Sequence, residues 1–185
     1  GVFKKKSSKL IHNLSSIVLL ITAVIVFNET LGIKQALLFN DSVIIDYLSS
    51  YMKIVTLLAA FLVLAISSNY LKIFKLSKIE YPILILSSVL GMMVMISSND
   101  LIVFYMGLEL QSLALYVLAT FNRDQLKSSE AGLKYFVLSA LSSGLLLYGC
   151  SLIYGFTGST NFDLIADQLN TDQYVLTFGI VFILV

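Results

Sequence analysis

The chain has 185 residues, of which 58% are hydrophobic and only 12% are charged, and its mean hydropathy is +0.91. Soluble domains carry about 25% charged residues, so this composition indicates a membrane protein. A formal net charge of +1 argues against a nucleic-acid-binding domain, and the single cysteine and single histidine exclude a disulfide framework and a cysteine- or histidine-based metal site within the chain.

Apolar runs predict an all-α fold, a polytopic transmembrane helical bundle in one domain, because about 20 apolar residues are needed to cross a ~30 Å hydrocarbon core. The polar segment 156–172 is predicted to be an outer surface loop that contains a short helix, 162–169, capped by Asn161 or Thr160. In chain order, the predicted helices span residues 10–27, 43–67, 81–97, 101–121, 131–155 and 174–185, the last one cut short.

Basic residues predict the orientation of these helices. They are concentrated before the first helix and in the second and fourth connections, whereas the alternate connections hold one lysine, Lys34, and most of the acids. By the positive-inside rule, the basic segments face the cytoplasm or matrix. The residues on this predicted inner side are Lys4, Lys5, Lys6, Lys9, Lys72, Lys75, Lys78, Arg123 and Lys127.

The fourth predicted helix carries an acid, Glu109, eight residues after Leu101 and therefore ~12 Å below one membrane surface. A charge at that depth costs at least ~2.5 kcal/mol and usually marks a partner, a water cavity or a function. We therefore predict that Glu109 is a proton or ion site; the alternative is a packing acid neutralised by protonation or one hydrogen bond. Helical spacing places it on a polar stripe, expected to face protein or internal water, with Tyr105, Ser112 and Tyr116.

Lys134 is the candidate cation for this site. It lies three residues inside its predicted helix, whereas Glu109 is twelve residues from the same side, so their depths differ by roughly 13 Å. That gap exceeds the reach of a lysine, and we expect waters rather than an ion pair between them. The alternative for Lys134 is snorkelling to the interface, paired with Glu130. The same predicted helix offers small residues for close helix contacts: Ser139, Ala140, Ser142, Ser143, Gly144 and Gly149.

Two segments carry a family resemblance: SSNDLIVFYMGLELQSLALYVLA and SSEAGLKYFVLSALSSGLLLYGCSLIYGFTGSTNFD. They resemble subunit 2 (subunit N) of the proton-pumping NADH:quinone oxidoreductase, respiratory complex I, in its α-proteobacterial and mitochondrial form. The resemblance is close from about Met95 to Asp163. Elsewhere it rests on the placement and hydropathy of the helices.

The resemblance implies an antiporter-like subunit of the complex's membrane arm, in a bacterial or mitochondrial inner membrane, that contributes to proton translocation coupled to electron transfer from NADH to quinone. By this resemblance, Glu109 corresponds to the family's mid-membrane glutamate, and Lys134 corresponds to the family's lysine near the start of the following helix. NADH, FMN, iron–sulfur clusters and quinone would be bound by other subunits, and no redox site is expected in this chain. The implied partners are the other membrane-arm subunits and the lipid bilayer.

The ends of the chain, Gly1 and an apolar run that stops at Val185, lead us to expect a piece of a longer protein. The family's further essential lysines would fall beyond Val185. A subunit of a cation/proton antiporter without a link to NADH is the alternative function, because such antiporters share the glutamate-then-lysine layout.

Overall fold

A computed structural model describes residues 8–30, 32, 35–74, 76–168 and 173–184. Within these ranges four helices, which begin at Ser8, Tyr47, Leu101 and Leu126, are long and apolar enough to cross a membrane, and the helix Glu80–Ile96 is a shorter apolar helix. The predicted all-α membrane bundle is therefore confirmed. The elements are α1 (Ser8–Thr30), β1 (Ala36–Leu38), β2 (Val43–Ile45), α2 (Tyr47–Ile73), α3 (Glu80–Ile96), α4 (Leu101–Ala119), α5 (Leu126–Thr157), α6 (Phe162–Gln168) and α7 (Gln173–Leu184).

The second helix begins at Tyr47, four residues later than predicted. Residues Val43–Ile45 instead form a strand that pairs antiparallel with Ala36–Leu38. Asp46 separates strand from helix: its carboxylate accepts a hydrogen bond from the Ser49 amide at 2.7 Å, and the Ser49 hydroxyl accepts one from the Asp46 amide at 3.0 Å. This capping box also lowers the pKa of Asp46. A short apolar run does not by itself distinguish a strand from the start of a helix.

Helix ends also differ from those predicted by hydropathy. The fifth helix begins at Leu126, five residues earlier than predicted, and ends at Thr157. It is followed by Gly158, whose φ of +66° suits a glycine C-cap. Polar residues near the membrane surface can continue a helix, so hydropathy marks the apolar part of a helix rather than its full length. In α6 the Asn161 side chain accepts hydrogen bonds from the amides of Asp163 and Leu164, and it is Asn161 rather than Thr160 that caps this helix.

The predicted outer connections meet at one end of the bundle. The Ile44 amide donates to the Ser97 carbonyl at 2.8 Å, which joins the hairpin to the α3–α4 connection. The Asn99 side-chain amide donates to the Asp41 carbonyl and to an Asp163 carboxylate oxygen, both at 3.1 Å. These bonds tie together three connections that are distant in sequence.

The opposite end carries the basic connections. Lys78 Nζ lies 5.6 Å from the centroid of the Phe121 ring, and Tyr81 packs edge-on against the same ring. The structure thus groups the connections as the charge pattern predicts, while the direction in which each end faces the membrane stays a prediction. Outside the described residues lie Lys4, Lys5, Lys6, Lys34, Lys75 and Val185, the side chain of Lys9, and 169–172 of the predicted loop.

Glycines hold α4 closely against α3. A Cβ added at Gly91 would lie 2.6 Å from the Gln111 amide nitrogen and 2.7 Å from the Gly107 carbonyl oxygen, so the two backbones touch here. On the far side of α5, a Cβ at Gly149 would lie 2.7 Å from the Gly179 carbonyl oxygen of α7. Close backbone approach at small residues is typical of helix contacts in membranes. Helix α4 is therefore fixed against α3 while another face contacts α5.

Candidate functional site

The start of α4 is fixed by Asp100. One oxygen of its carboxylate accepts hydrogen bonds from the amides of Ile102 at 2.8 Å and Val103 at 3.3 Å. The other oxygen accepts a hydrogen bond from the Thr160 hydroxyl, which lies just beyond α5. A single side chain therefore caps α4 and connects it to the end of α5.

Helices α4 and α5 run antiparallel, so residues at equal distances from a shared contact lie at the same depth on both helices. Near the inner end, Gly132 lies against the Thr120 side chain, and the Tyr116 and Phe136 rings pack edge-to-face with centroids 5.6 Å apart. Glu109 lies eleven residues from Thr120, and Ser143 lies eleven residues from Gly132. At ~1.5 Å per residue both side chains are therefore ~16 Å from this inner contact, at the same depth.

Three polar side chains meet at that depth. The Glu109 carboxylate accepts a hydrogen bond from the Ser143 hydroxyl, and the Tyr105 hydroxyl lies 3.1 Å from the same Ser143 oxygen. All three side chains are partly buried. We call this group the carboxyl site. It joins α4 to α5 and places the carboxyl of Glu109 against the Ser143 hydroxyl, which in turn contacts the Tyr105 hydroxyl.

Only part of the predicted polar stripe belongs to the carboxyl site. Tyr105 belongs to the site through its contact with Ser143. The buried Tyr116 ring instead packs against Tyr135 and Phe136. Among the described residues, Ser112 makes no hydrogen bond with any side chain of the carboxyl site. Ser143 was predicted only as one of the small residues of its helix. Counting twelve residues back from the predicted end at 121 reaches Glu109, and counting twelve residues on from the predicted start at 131 reaches Ser143, so the predicted helix bounds could have identified it.

A cavity of about 200 Å³ adjoins the carboxyl site between α4, α5 and α7. It is lined by the hydroxyl-bearing residues Ser139, Ser142 and Ser143 and by apolar residues that include Leu108 and Ile183. A space of this size holds several water molecules, and three hydroxyl groups provide partners for them. Ser143 belongs both to the cavity wall and to the carboxyl site, and it therefore connects the two.

Lys134 lies away from the carboxyl site. Its Nζ is 2.6 Å from Glu130 Oε1, and the two side chains are 68% and 55% exposed. Lys134 lies two residues beyond Gly132 on α5. It lies nine residues before Ser143, and this separation is ~13 Å along the helix. The structure therefore shows the surface pairing with Glu130, and it keeps Lys134 and Glu109 apart as the depth argument predicts. Whether Lys134 acts in transport stays a prediction.

Within the described ranges, no group of three or more His, Cys, Asp or Glu side chains could hold a metal ion. The single cysteine, Cys150, is buried on α5 among helix contacts. The carboxyl site brings together a carboxyl group and two hydroxyl groups, and these groups can exchange protons with one another and with water.

Comparison with known proteins gives consistent matches. Residues 98–185 match the family described as NADH:quinone oxidoreductase/Mrp antiporter, TM. A NADH-quinone oxidoreductase subunit N from Pelagibacter ubique is 70% identical over 185 residues, which is all of this chain and 39% of that protein. The chain therefore spans just over a third of the length of this relative.

Solved structures show a similar fold. A chain of respiratory complex I from Thermus thermophilus with bound aureothin superimposes with a TM-score of 0.78 at 26% identity, covering 96% of this chain and 37% of that one. A chain of the Mrp complex from Dietzia sp. superimposes with a TM-score of 0.77 at 22% identity, covering 96% and 35%. The second likeness is one of fold alone. The architecture is that of an antiporter-like membrane subunit, and the chain is a multi-pass membrane protein.

Proposed function

We propose that this chain, a homologue along its whole length of α-proteobacterial NADH-quinone oxidoreductase subunit N, helps to translocate protons in the membrane arm of that enzyme. The observation that supports the proposal most directly is the carboxyl site, in which Glu109 lies near the middle of a spanning helix and accepts a hydrogen bond from Ser143, which in turn contacts Tyr105. Ionisable groups at such depth usually mark proton or ion pathways.

The geometry suits a proton relay. A serine or tyrosine hydroxyl can donate one hydrogen bond while it accepts another, so it can pass a proton on without becoming charged in the resting state. Ser143 contacts Glu109 on one side and Tyr105 on the other, and it also lines the adjoining cavity. A proton that arrives from water in the cavity could move through the Ser143 hydroxyl to the Glu109 carboxylate, and leave by the reverse exchange.

Lys134 would act on this site through its charge. At ~13 Å and an effective dielectric constant of ~20, a unit charge interacts with the carboxylate by about 1 kcal/mol. Pairing with Glu130 and exposure to solvent reduce that effect.

The rest of the enzyme would provide the driving reaction. NADH, FMN, iron–sulfur clusters and quinone would be bound by other subunits, while residues of this chain hold and move the proton. The partners would be the other membrane-arm subunits, in a bacterial or mitochondrial inner membrane.

A cation/proton antiporter subunit that works without NADH is the competing function, since the Mrp complex shares the fold. The 70% identity of this chain to the matching 39% of a subunit N favours the oxidoreductase. Co-purification with iron–sulfur subunits and inhibition of proton translocation by quinone-site inhibitors would support the oxidoreductase. Cation-driven proton exchange that persists in the presence of these inhibitors would support the antiporter.

The decisive experiment is Glu109→Gln in the complete complex. The amide keeps the shape of the side chain but cannot release a proton, so we expect the number of protons pumped per electron to fall at least about tenfold while the complex still assembles. Glu130→Gln, which removes a surface carboxyl from the neighbouring helix, is the matched control and should pump normally. Normal stoichiometry in the Glu109→Gln complex would refute the proposed role.

A further inference from the structure

A second polar cavity, remote from the carboxyl site, lies at the inner ends of α1, α2 and α3. Its volume is about 430 Å³, which falls within the range of about 300–1,000 Å³ typical of ligand sites. We call it the inner cavity. The polar residues that line it include His12, Asn13, Ser16, Ser68, Lys72 and Lys78.

The wall of the inner cavity changes in polarity with depth. On α2, Ala65, Ser68 and Lys72 are spaced three and four residues apart, so they lie on one helical face and span ~10 Å from the apolar interior towards the inner surface. On α1, His12 lies one helical turn closer to the same surface than Ser16. The cavity is therefore apolar at its deepest point, carries hydroxyl groups further out and is basic at its mouth.

The basic groups at the mouth lack acidic partners. Within the described ranges, neither Lys72 nor Lys78 has a carboxylate within ion-pair distance; Lys78 instead lies over the Phe121 ring. The nearest acid in sequence, Glu80, is exposed and lines the neighbouring cavity between α3 and α4, which Lys78 also lines. Lys72 and Lys78 both line the inner cavity, and no described Asp or Glu lines it, so an anion is the ligand that fits.

We propose that the inner cavity binds the phosphate headgroup of an anionic phospholipid from the inner leaflet. Basic pockets between transmembrane helices on the cytoplasmic or matrix side are suited to such headgroups. A free phosphate ion would engage only the basic mouth. A phospholipid also uses the deeper wall, where its glycerol and the start of an acyl chain would lie beside Ser68 and Ala65.

The test uses the full-length protein in the assembly with which it purifies, placed in nanodiscs of phosphatidylcholine that contain photoactivatable phosphatidylglycerol. Crosslinked peptides are quantified by mass spectrometry. We expect labelling of α1 and α2 near the cavity, and at least about a tenfold decrease in K72Q/K78Q, because each basic residue near the surface contributes to anionic lipid binding. K72R/K78R, which keeps both charges, should retain the labelling.

The matched control is R123Q/K127Q, which removes two basic residues from the same end of the bundle but not from the inner cavity. Labelling near the cavity should be unchanged in this variant. An equal loss in both double variants would overturn the proposal, because it would show diffuse attraction to a basic surface. A second variant, Ser68→Phe, fills the cavity without changing charge and should also abolish labelling; full labelling in that variant would refute the site.

A competition experiment with inorganic phosphate distinguishes a phospholipid headgroup from a free phosphate ion as the ligand. A lipid that uses the deeper wall should remain bound when inorganic phosphate is present in about hundredfold excess over the lipid. Complete displacement under these conditions would show a site for free phosphate and overturn the lipid assignment.

Discussion

Glu109 and Lys134 are both ionisable residues inside apolar runs, yet the structure gives them different surroundings. Glu109 lies between two helices and contacts Ser143, which in turn contacts Tyr105. Lys134 is mostly exposed and pairs with Glu130 on its own helix. The difference arises because Lys134 lies close to the level at which α4 ends, whereas Glu109 lies ~16 Å from that end. Depth within the bundle, rather than the apolar run around a residue, decides what an ionisable side chain can contact.

Ser143→Ala tests the contact that distinguishes Glu109, and it should have the largest effect after loss of the carboxyl itself. It removes a hydrogen bond to a charged group, worth about 1.5–3 kcal/mol, so we expect proton pumping to slow about tenfold to hundredfold. The rate is measured by NADH-driven acidification in proteoliposomes. Ser142→Ala is the control, because its hydroxyl bonds back to the Ser139 carbonyl although it lines the same cavity. Equal slowing in both variants would contradict the relay.

Lys134→Ala tests whether the exposed lysine acts at a distance. The unscreened interaction of about 1 kcal/mol is the upper limit, so NADH-driven quinone reduction should slow by no more than about fivefold. Glu130→Gln breaks the same ion pair but keeps the lysine, and turnover should be preserved. Unchanged turnover in Lys134→Ala would show that this residue only snorkels to the membrane surface.

Tyr105→Phe should have a smaller effect, because the Tyr105 hydroxyl reaches Glu109 only through Ser143. Loss of a neutral hydrogen bond of about 0.5–1 kcal/mol predicts pumping slower by about threefold. Tyr116→Phe removes a hydroxyl from the same stripe, but its ring packs against other aromatic rings, so pumping should not change. Should the Tyr116 variant slow pumping more, the assignment of Tyr105 to the site would be wrong.

The smallest predicted effect is on the stability of the protein when the Lys134–Glu130 ion pair is removed. Glu130→Gln should destabilise the protein by less than about 0.5 kcal/mol, because an exposed ion pair one helical turn apart contributes little. The measurement is the thermal inactivation midpoint of the assembly. A decrease in this midpoint that corresponds to more than about 1 kcal/mol of stability would indicate that a partner buries the pair. The difference in surroundings between Lys134 and Glu109 would then be smaller.

Much of the fold could be predicted because membrane helices must satisfy their backbone hydrogen bonds internally and must be about 20 apolar residues long. The start of α2 could not be predicted in this way, since Val43–Ile45 is apolar in either conformation and only its pairing with Ala36–Leu38 makes it a strand. The start of α5 was missed for a related reason: residues 126–130 are polar enough to look like a connection, yet they continue the helix.

The sequence by itself determined that the chain crosses a membrane, that its basic connections share one end of the bundle, and that a carboxyl group lies deep within a spanning helix. Hydropathy and charge determine these properties because the bilayer acts on each segment separately. Only the tertiary structure decided which hydroxyl groups meet Glu109 and that Lys134 pairs with Glu130. Such contacts depend on the register between helices, which close glycine packing and the Asp100–Thr160 hydrogen bond hold in place, and no single segment contains that information.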